Sequence, residues 1–362
     1  MKSTFSIGNH CIGQGQRPFI VAELSGNHGQ SIDRAKTLID AAQSAGADAV
    51  KLQTYTPEAL TLNVKSERFL QTEGLWKGKY LWELYEEGAT PRKWHPALKA
   101  YAEDRGLVFF SAPFDESAID FLETIDIPLY KIGSHEVVHT PLLERVGKTG
   151  KPVILSTGMA TQDEIKLAIK TLTQAGAEAI VLLKCISAYP ANPKSFNLRS
   201  MVTLNTQFGC PIGISDHTLS SEIVLGATAL GACIIEKHLT LEDSEGAIDD
   251  GFSLQPSAFR AMANSVRMLY DGLGNDALQP TDQESIEQRF RRSIFVAQDI
   301  EAGEAFSKNN LRVVRPSDGL APKHWKQTLG KRSKIKLKTG DPLTADAIEG
   351  FSEESSEYPQ DA

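Results

Sequence analysis

Cysteine is scarce in this chain of 362 residues, and its four cysteines follow no paired spacing. They are scattered without a C-x-x-C motif, and Cys185 and Cys233 lie inside apolar runs. This distribution argues against a disulfide framework and against a cysteine-based zinc cage. We expect free, buried thiols, as in proteins of a reducing cytoplasm.

Long hydrophobic runs and an excess of positive charge are also missing. No apolar stretch approaches the ~18 residues that span a bilayer, and the N-terminus MKSTFSIGNH has no signal-peptide core. The formal net charge of -8 disfavours nucleic acid and anionic membranes as main partners. We therefore expect a cytoplasmic protein that binds neither nucleic acid nor membrane.

A third missing feature is a G-x-G-x-x-G motif after the first apolar run, which leaves a Rossmann fold with little support. The chain instead carries short apolar runs, nearly all followed by a helical pattern. The predicted strands are residues 19–24, 49–52, 107–110, 129–132, 152–155, 179–183, 211–214 and 233–235. Eight parallel strands with helical crossovers close most naturally into a (β/α)8 barrel, with an open doubly wound sheet as the alternative.

Composition divides the chain into further parts. Residues 1–274 form the predicted barrel domain, which begins with a hairpin or lid in residues 4–17. Residues 275–289 are polar with Gly and Pro, which predicts a linker. Residues 290–350 predict a small turn-rich domain, and the acidic residues 351–362 a disordered tail.

Residues 55–90 form an unusually long, aromatic-bearing connection after the second predicted strand. Long insertions of this kind are usually functional, and we expect this one to cover a site.

Polar side chains follow the predicted strands, and in a barrel these strand ends meet at the catalytic face. They include Glu23, Lys51, Gln53, Lys131, Ser134, Glu136, Ser156, Lys184, Ser187, Tyr189, Ser215, His217, Glu236 and His238. Strand residues alternate in direction, so we expect Lys237 to point into the helix layer.

Three of these residues, Lys51, Lys131 and Lys184, are lysines on different strands. Buried lysines need partners, so their convergence predicts an anionic ligand, most simply a phosphate. The plainer alternative is that they are surface lysines on misassigned strands.

His217 and His238 follow adjacent predicted strands in the motifs GISDHT and CIIEKHLT. Together they suggest a divalent metal, although two histidines satisfied on ordinary loops are the alternative. The carboxylates Glu23, Glu136 and Asp249 could serve proton transfer, metal or sugar hydroxyls. The whole set predicts chemistry on a phosphorylated substrate with metal activation of a carbonyl.

At these residues the chain resembles the sialic acid (nonulosonic acid) synthase family, which condenses phosphoenolpyruvate with an amino-sugar aldehyde. The matching motifs are VAELSGNHGQS (21–31), AGADAVKLQTY (45–55), YKIGSHE (130–136), ILSTGMAT (154–161), LLKCISAYPANP (182–193), IGISDHT (212–218) and IIEKHLTL (234–241). LRVVRPSDGL (311–320) resembles the antifreeze-protein-like (SAF) domain of these enzymes, with RPSDG in place of the usual RPGxG.

Within that family the chain is most similar to the pseudaminic acid synthase branch. The motifs that point there are SGNHGQS, KLQTYTPEALTL, GLWKGKYLWELYEEGATP and FSAPFDESAIDFLE. This branch joins phosphoenolpyruvate to 2,4-diacetamido-2,4,6-trideoxy-altrose to give pseudaminic acid for surface glycans. N-acetylneuraminate and legionaminic acid synthases are the alternatives within the family.

The resemblance also implies roles for single residues. His217 and His238 would bind the metal, commonly Mn²⁺, with Mg²⁺ and Co²⁺ as alternatives. Glu23 would be the catalytic carboxylate, and Arg315 would reach the active site of the partner in a domain-swapped homodimer. Phosphoenolpyruvate contacts would come from Lys51, Lys131, Ser134, Ser156, Ser187 and Ser215. Sugar contacts would come from Gln53, Glu136, Tyr189 and Asp249, with Asp250 as the alternative to Asp249.

Two hypotheses of other classes remain at this stage. A Schiff-base aldolase would use Lys131 or Lys184 as its nucleophile. A non-catalytic carbohydrate binder is disfavoured because it has no need of so many buried charges.

Overall fold

The computed structural model describes residues 2–242 and 246–352. The chain divides into two compact units, Met1–Gly274 and Asn275–Ala362. Most of the predicted acidic tail, residues 353–362, lies outside the described residues. Within the described part, no helix is both long and apolar enough to cross a membrane.

The first unit begins with a hairpin and continues as alternating strands and helices. The strands are β1 (Thr4–Ile7), β2 (His10–Gly13), β3 (Phe19–Glu23), β4 (Ala49–Thr54), β5 (Val108–Pro113), β6 (Tyr130–Ile132), β7 (Val153–Ser156), β8 (Ile180–Cys185), β9 (Ile212–Asp216) and β10 (Ile234–His238). The helices are α1 (Ile32–Ser44), α2 (Pro57–Leu60), α3 (Leu81–Gly88), α4 (His95–Glu103), α5 (Glu116–Thr124), α6 (Thr140–Gly147), α7 (Gln162–Ala175), α8 (Ser200–Phe208), α9 (Glu222–Ala229) and α10 (Pro256–Leu273).

Strands β3 to β10 pair in parallel in chain order, and β10 closes on β3. The predicted (β/α)8 barrel is therefore confirmed. Alternation along each strand produces two apolar layers. Leu183 and Ile234 face the barrel interior, whereas their neighbours Leu182 and Ile235 pack against the helices.

The N-terminal hairpin packs against the amino-terminal end of the barrel interior. Phe5 pairs with Ile12 across the hairpin. Both side chains join one buried apolar cluster with Phe19 and Cys233, at the starts of β3 and β10. The predicted hairpin is thus a plug that fills one end of the barrel, and the carboxyl ends of the strands hold the polar residues.

Several helix starts follow from capping residues in the sequence. Thr161 and Glu164 form a capping box at the start of α7, and Gly176 ends that helix at a φ of 117°. Asp115 caps α5 by accepting a hydrogen bond from the Ala118 N–H at 2.8 Å.

A 3-10 turn over Arg92–Trp94 precedes α4, which starts at His95 with Pro96 in its first turn. One strand boundary differs from the predictions. Strand β10 extends to His238, because its pairing with β3 continues to Glu23. His238 is therefore the last residue of a strand and is held by the barrel itself.

The second unit is a small turn-rich domain with its own apolar core. Its elements are α11 (Asp282–Glu287), β11 (Ser293–Val296), β12 (Leu311–Val314) and α12 (Trp325–Thr328). Helix α11 lies inside the stretch expected to be a linker, where Thr281 and Glu284 form a second capping box.

Arg315 follows β12 and is exposed on this unit. The next residues need no glycine before Gly319, because none from Pro316 to Gly319 has a positive φ. Gly319 itself is required by close packing, since a Cβ there would lie 2.3 Å from the Ile294 carbonyl oxygen. RPSDG therefore forms this turn without backbone strain at Ser317 or Asp318.

Candidate active site

A cavity of about 410 Å³ opens at the carboxyl ends of the barrel strands. This is where (β/α)8 enzymes place their chemistry, and the volume suits small-molecule substrates. Its polar lining includes many of the predicted site residues, namely Lys51, Gln53, Lys131, Ser134, Glu136, Ser156, Tyr189, Ser215, His217, His238 and Asp249.

Two lysines and two carboxylates form a buried ion network beneath this cavity. Lys51 Nζ lies 2.5 Å from Glu23 and 3.5 Å from Glu236. Lys131 Nζ lies 3.4 Å from the same Glu236 oxygen. Gln53 donates a hydrogen bond to Glu23 at 3.0 Å. Glu236, which was expected at the catalytic face but was given no role there, thus pairs with both lysines.

Burial and pairing act in opposite directions on the pKa values of this network. Burial would raise the pKa of Glu236, but Lys131 and Lys51 lower it, so the carboxylate stays ionised. Burial raises the pKa of Glu23, although Lys51 opposes the shift. Burial lowers the pKa of Lys131, whereas the carboxylates around buried Lys51 raise the pKa of that lysine.

Glu23 is fully buried and does not line the cavity. It contacts the cavity only through its partners Lys51 and Gln53, which do line it. Its carboxylate is therefore placed to hold those two side chains.

The expected convergence of three lysines is wrong for Lys184. This residue alternates with Leu183 and Cys185, which face the interior, and so it lies on the outer side of β8 with Leu182. Lys184 is half-buried and does not line the cavity. The inward residue at this level of β8 is Cys185.

The predicted serine contacts surround the turn after β7. Ser134 Oγ accepts a hydrogen bond from the Gly158 N–H at 3.1 Å. A Cβ on Gly158 would lie 2.6 Å from Ser187 Oγ, so glycine permits this close approach. The Oγ atoms of Ser156 and Ser187 are buried without a hydrogen-bond partner in the described part of the chain. Ser187 stands behind the turn and does not line the cavity.

Burial raises the pKa values of two acidic residues at the cavity wall. Burial raises the pKa of Glu136 to about 7 and that of Asp249 to about 6. Asp250 serves its own loop instead, accepting hydrogen bonds from Thr240 Oγ1 at 2.5 Å and the Ala247 N–H at 2.8 Å. Of the two aspartates, only Asp249 lines the cavity.

His217 and His238 lie side by side at the ends of adjacent strands, with ring centroids 5.2 Å apart. His217 Nδ1 is 3.0 Å from the Ile186 carbonyl, which can only accept, so Nδ1 carries the proton and the neutral ring keeps its lone pair on Nε2. Burial lowers the pKa of His217, but Cys185 and the Ile186 carbonyl outweigh burial and raise it. His238 Nδ1 is buried and has no hydrogen-bond partner among the described residues. Burial and the neighbouring His217 lower the pKa of His238, which favours the neutral, ligating form.

These two rings fit a metal ion that the protein holds by two nitrogens. Within residues 2–242 and 246–352, no group of three His, Cys, Asp or Glu residues could hold an ion. The remaining positions would belong to substrate and water, as in open catalytic sites.

An aromatic group lies beside the histidines, and sequence reasoning named only its member Tyr189 as a site residue. The Tyr189 ring lies 4.6 Å from His217 and 5.5 Å from Trp76. Phe252 lies 4.8 Å from His238 and 4.9 Å from Tyr189. The position of Trp76 in the segment expected to cover the site could have identified it as a site residue. No sequence feature near Phe252 indicated that it lies in the site.

A (β/α)8 barrel with lysines, carboxylates and two histidines at one mouth is the arrangement of an enzyme that handles anionic substrates. The chain belongs to the NeuB family, which it matches over residues 38–277. Residues 291–349 match the SAF domain. The resemblance to the sialic acid synthase family is thereby confirmed in both parts of the chain.

Several known proteins are similar over nearly the whole length. The pseudaminic acid synthase of Helicobacter pylori is 43% identical over 336 residues, which cover 92% of this chain and 98% of that protein. The N,N'-diacetyllegionaminic acid synthase of Legionella pneumophila is 34% identical, covering 91% and 94%. The crystal structure of N-acetylneuraminic acid synthetase from Leptospira borgpetersenii, in complex with citrate, aligns with a TM-score of 0.70 at 32% identity, covering 79% and 96%.

Proposed function

We propose that this protein is a transferase that condenses phosphoenolpyruvate with 2,4-diacetamido-2,4,6-trideoxy-altrose and water, releasing phosphate and pseudaminic acid. The observation that carries the proposal is the Lys51–Glu236–Lys131 network beside His217 and His238 in one cavity. The higher identity to pseudaminic acid synthase than to legionaminic acid synthase favours this sugar over those of the two related enzymes.

Phosphoenolpyruvate binds, in this proposal, at the charged side of the cavity. Lys51 and Lys131 offset its negative charge, while Ser134 and Ser156 donate hydrogen bonds. Ser215, whose hydroxyl donates to Glu236 at 3.1 Å, would line the same side. The unpartnered Oγ of Ser156 supports this assignment, because a buried hydroxyl without a partner is costly. Ser187 would act from behind the 156–159 turn. Gln53, Glu136, Tyr189 and Asp249 would face the sugar.

His217 and His238 would hold a divalent metal, with Mn²⁺ first among the candidates and Mg²⁺ and Co²⁺ as alternatives. A metal at this position would supply Lewis-acid polarisation of the sugar's aldehyde oxygen. The free Nε2 lone pair of His217 supports the assignment.

The reaction forms one carbon–carbon bond and breaks one carbon–oxygen bond. C3 of phosphoenolpyruvate attacks the aldehyde carbon, and the aldehyde oxygen gains a proton to become a hydroxyl. Water adds its oxygen to C2 and gives up a proton, and the resulting tetrahedral centre expels phosphate to leave a ketone. The Glu23–Lys51 pair, joined at 2.5 Å, is the proposed proton reservoir for these steps.

We also propose a domain-swapped homodimer in the cytoplasm, in which Arg315 of one chain completes the site of its partner. Arg315 is exposed and has no ion pair within the part of the chain that the structure describes, which leaves it available. The four cysteines are free thiols, in keeping with a reducing compartment.

The direct test measures phosphate release from phosphoenolpyruvate with a panel of amino-sugar acceptors. We expect turnover with the diacetamido altrose sugar and a product lengthened by three carbons. Phosphoenolpyruvate labelled with ¹⁸O at the bridging oxygen should place the label in phosphate. Label retained in the sugar product would contradict the proposed carbon–oxygen cleavage.

The metal assignment has a test that does not depend on turnover. Titration of the metal-free protein with Mn²⁺, followed by electron paramagnetic resonance, should show one bound ion per chain. His217→Ala and His238→Ala should each weaken that binding at least about tenfold. Unchanged Mn²⁺ affinity in both variants would contradict this site.

One observation favours a second function. The pKa of Lys131 is lowered by burial, and this lysine lines the cavity, as a Schiff-base nucleophile would. Borohydride with a ketone substrate would then trap a covalent adduct on Lys131. The phosphoenolpyruvate proposal expects no such adduct.

A further inference from the structure

The cavity has an apolar side that the proposed chemistry does not use. Its apolar and aromatic lining consists of Tyr55, Leu60, Trp76, Leu84, Tyr85, Phe114, Ile248 and Phe252. Five of these residues, from Tyr55 to Tyr85, belong to segment 55–90, whereas Lys51, Lys131 and Glu236 lie on barrel strands. The segment therefore supplies most of the apolar lining, which suits an apolar part of a ligand.

Segment 55–90 is fixed against the barrel at its end. Gln30 donates hydrogen bonds to the carbonyls of Glu87 at 2.9 Å and Ala89 at 2.7 Å. The His28 ring is hydrogen-bonded to Thr90 at 2.9 Å. These contacts explain the SGNHGQS motif, whose His28 and Gln30 hold the end of the segment in place.

Trp76, in the middle of the segment, is anchored separately. Its indole N–H donates a hydrogen bond to the Ile248 carbonyl at 2.9 Å. The ring lies 5.5 Å from Tyr189 and 6.1 Å from Phe252. Its only polar atom is already used, so the face that it adds to the cavity is apolar.

Tyr189 links Trp76 to the histidines, since its ring lies 4.6 Å from that of His217 and 5.5 Å from that of Trp76. In the proposed function, on which this inference rests, the sugar aldehyde lies at the histidines. The methyl of a C2 acetamido group is four covalent bonds from the aldehyde carbon. It can therefore extend past the Tyr189 ring towards Trp76.

We propose that Trp76 is a specificity-determining residue that binds the methyl group of the acceptor's C2 acetamido substituent. Segment 55–90 thereby selects N-acetylated sugars through contact with their methyl groups. Removal of one methyl from a fitted apolar pocket lowers kcat/KM by about 10- to 200-fold.

The test compares two acceptors that differ by that methyl: the diacetamido sugar and its C2-formamido analogue. Trp76→Ala should lower kcat/KM for the diacetamido sugar by about 10- to 100-fold and change it less than about threefold for the formamido analogue. The KM for phosphoenolpyruvate should stay unchanged. Trp76→Phe, which keeps an aromatic face, should recover most of the preference. Leu62→Ala, an exposed position on the same segment, should match the wild type.

Equal losses for both acceptors in Trp76→Ala, or a raised KM for phosphoenolpyruvate, would overturn this inference. So would a wild-type enzyme that does not distinguish the two acceptors. Absence of turnover by the wild type with every N-acetylated acceptor would instead refute the proposed function itself, and this inference with it.

Discussion

At the scale of single residues, the Asp216–Lys237 pair shows how the histidines are held. Lys237 Nζ lies 2.5 Å from Asp216, and both side chains are fully buried on the helix side of the barrel. Lys237 also donates a hydrogen bond to the Ser220 carbonyl at 3.2 Å. Each member of the pair is the chain neighbour of a histidine, so the pair ties the loop after β9 to β10.

Breaking this pair should be strongly destabilising. Lys237→Met leaves Asp216 buried without its partner, and we expect a loss of about 3–5 kcal/mol in the free energy of unfolding. Asp216→Leu combined with Lys237→Met should recover most of it, because no unpaired charge remains. Urea denaturation provides the measurement. Lys336→Met, which breaks an exposed pair with Glu301, is the control and should leave stability nearly unchanged.

Glu136 makes stability depend on pH. Burial raises its pKa from 4.5 to about 7, so the folded protein binds the proton more tightly than the unfolded chain does. Stability from this group is therefore lost as the pH rises from 4.5 to about 7. Glu136→Gln should be more stable than the wild type at pH 8 by up to about 3 kcal/mol, but not at pH 4. Glu136 would not be the source of this pH dependence if the stability difference between Glu136→Gln and wild type were the same at both pH values. The same would follow if the exposed control Glu73→Gln showed an equal difference.

Residue identities alone could indicate a charged site but not its internal pairing. Lys51, Lys131 and Glu236 meet because alternate residues of β4, β6 and β10 face inward at one level, and register is set only when the barrel closes. The prediction that Lys184 joins them was wrong for the same reason, since a shift of one residue reverses the side of the sheet that a strand residue faces.

At the scale of elements, the N-terminal hairpin should contribute directly to stability. Ile12 is completely buried in the apolar cluster at the amino-terminal end of the barrel. Ile12→Ala should reduce the free energy of unfolding by about 2–5 kcal/mol, through lost burial and the cavity left behind. Cys11→Ala, at an exposed neighbour, should stay within about 0.5 kcal/mol. Equal effects of the two changes would show that the hairpin does not pack as described.

The strand and helix pattern was largely predictable because buried parallel strands produce continuous apolar runs. The hairpin was predicted as an element, but its position at the end of the barrel was not. Nothing in the sequence around Phe5 and Ile12 indicates which surface they pack against. Helix α11 escaped prediction because its exposed, polar residues resemble those of a linker, although its capping box was present in the sequence.

At the scale of the whole molecule, the proposed domain swap can be tested by mixing two inactive variants. His238→Ala damages the barrel site, and Arg315→Ala damages the second unit. When equal amounts of the two variants pair at random, about half of the dimers are heterodimers. In a swapped arrangement, one of the two sites of each heterodimer combines intact parts, so the mixture should regain about a quarter of wild-type activity. Arg312→Ala, which changes an exposed arginine within β12, should remain active without mixing. A mixture that stays inactive while heterodimers form would exclude the exchange.

The hairpin plug also has a kinetic consequence. Because Phe5, Ile7 and Ile12 fill the amino-terminal end of the barrel, substrates and products must share the opposite mouth. The lysines lie on the strands, beneath the aromatic residues of the loops. If phosphoenolpyruvate binds at the lysines, as proposed, it has to enter before the sugar binds above it. Initial-rate measurements should therefore show a compulsory order of addition, and a dead-end sugar analogue should inhibit uncompetitively against phosphoenolpyruvate. Random-order kinetics would mean that phosphoenolpyruvate can reach the lysines by a second route while the sugar is bound.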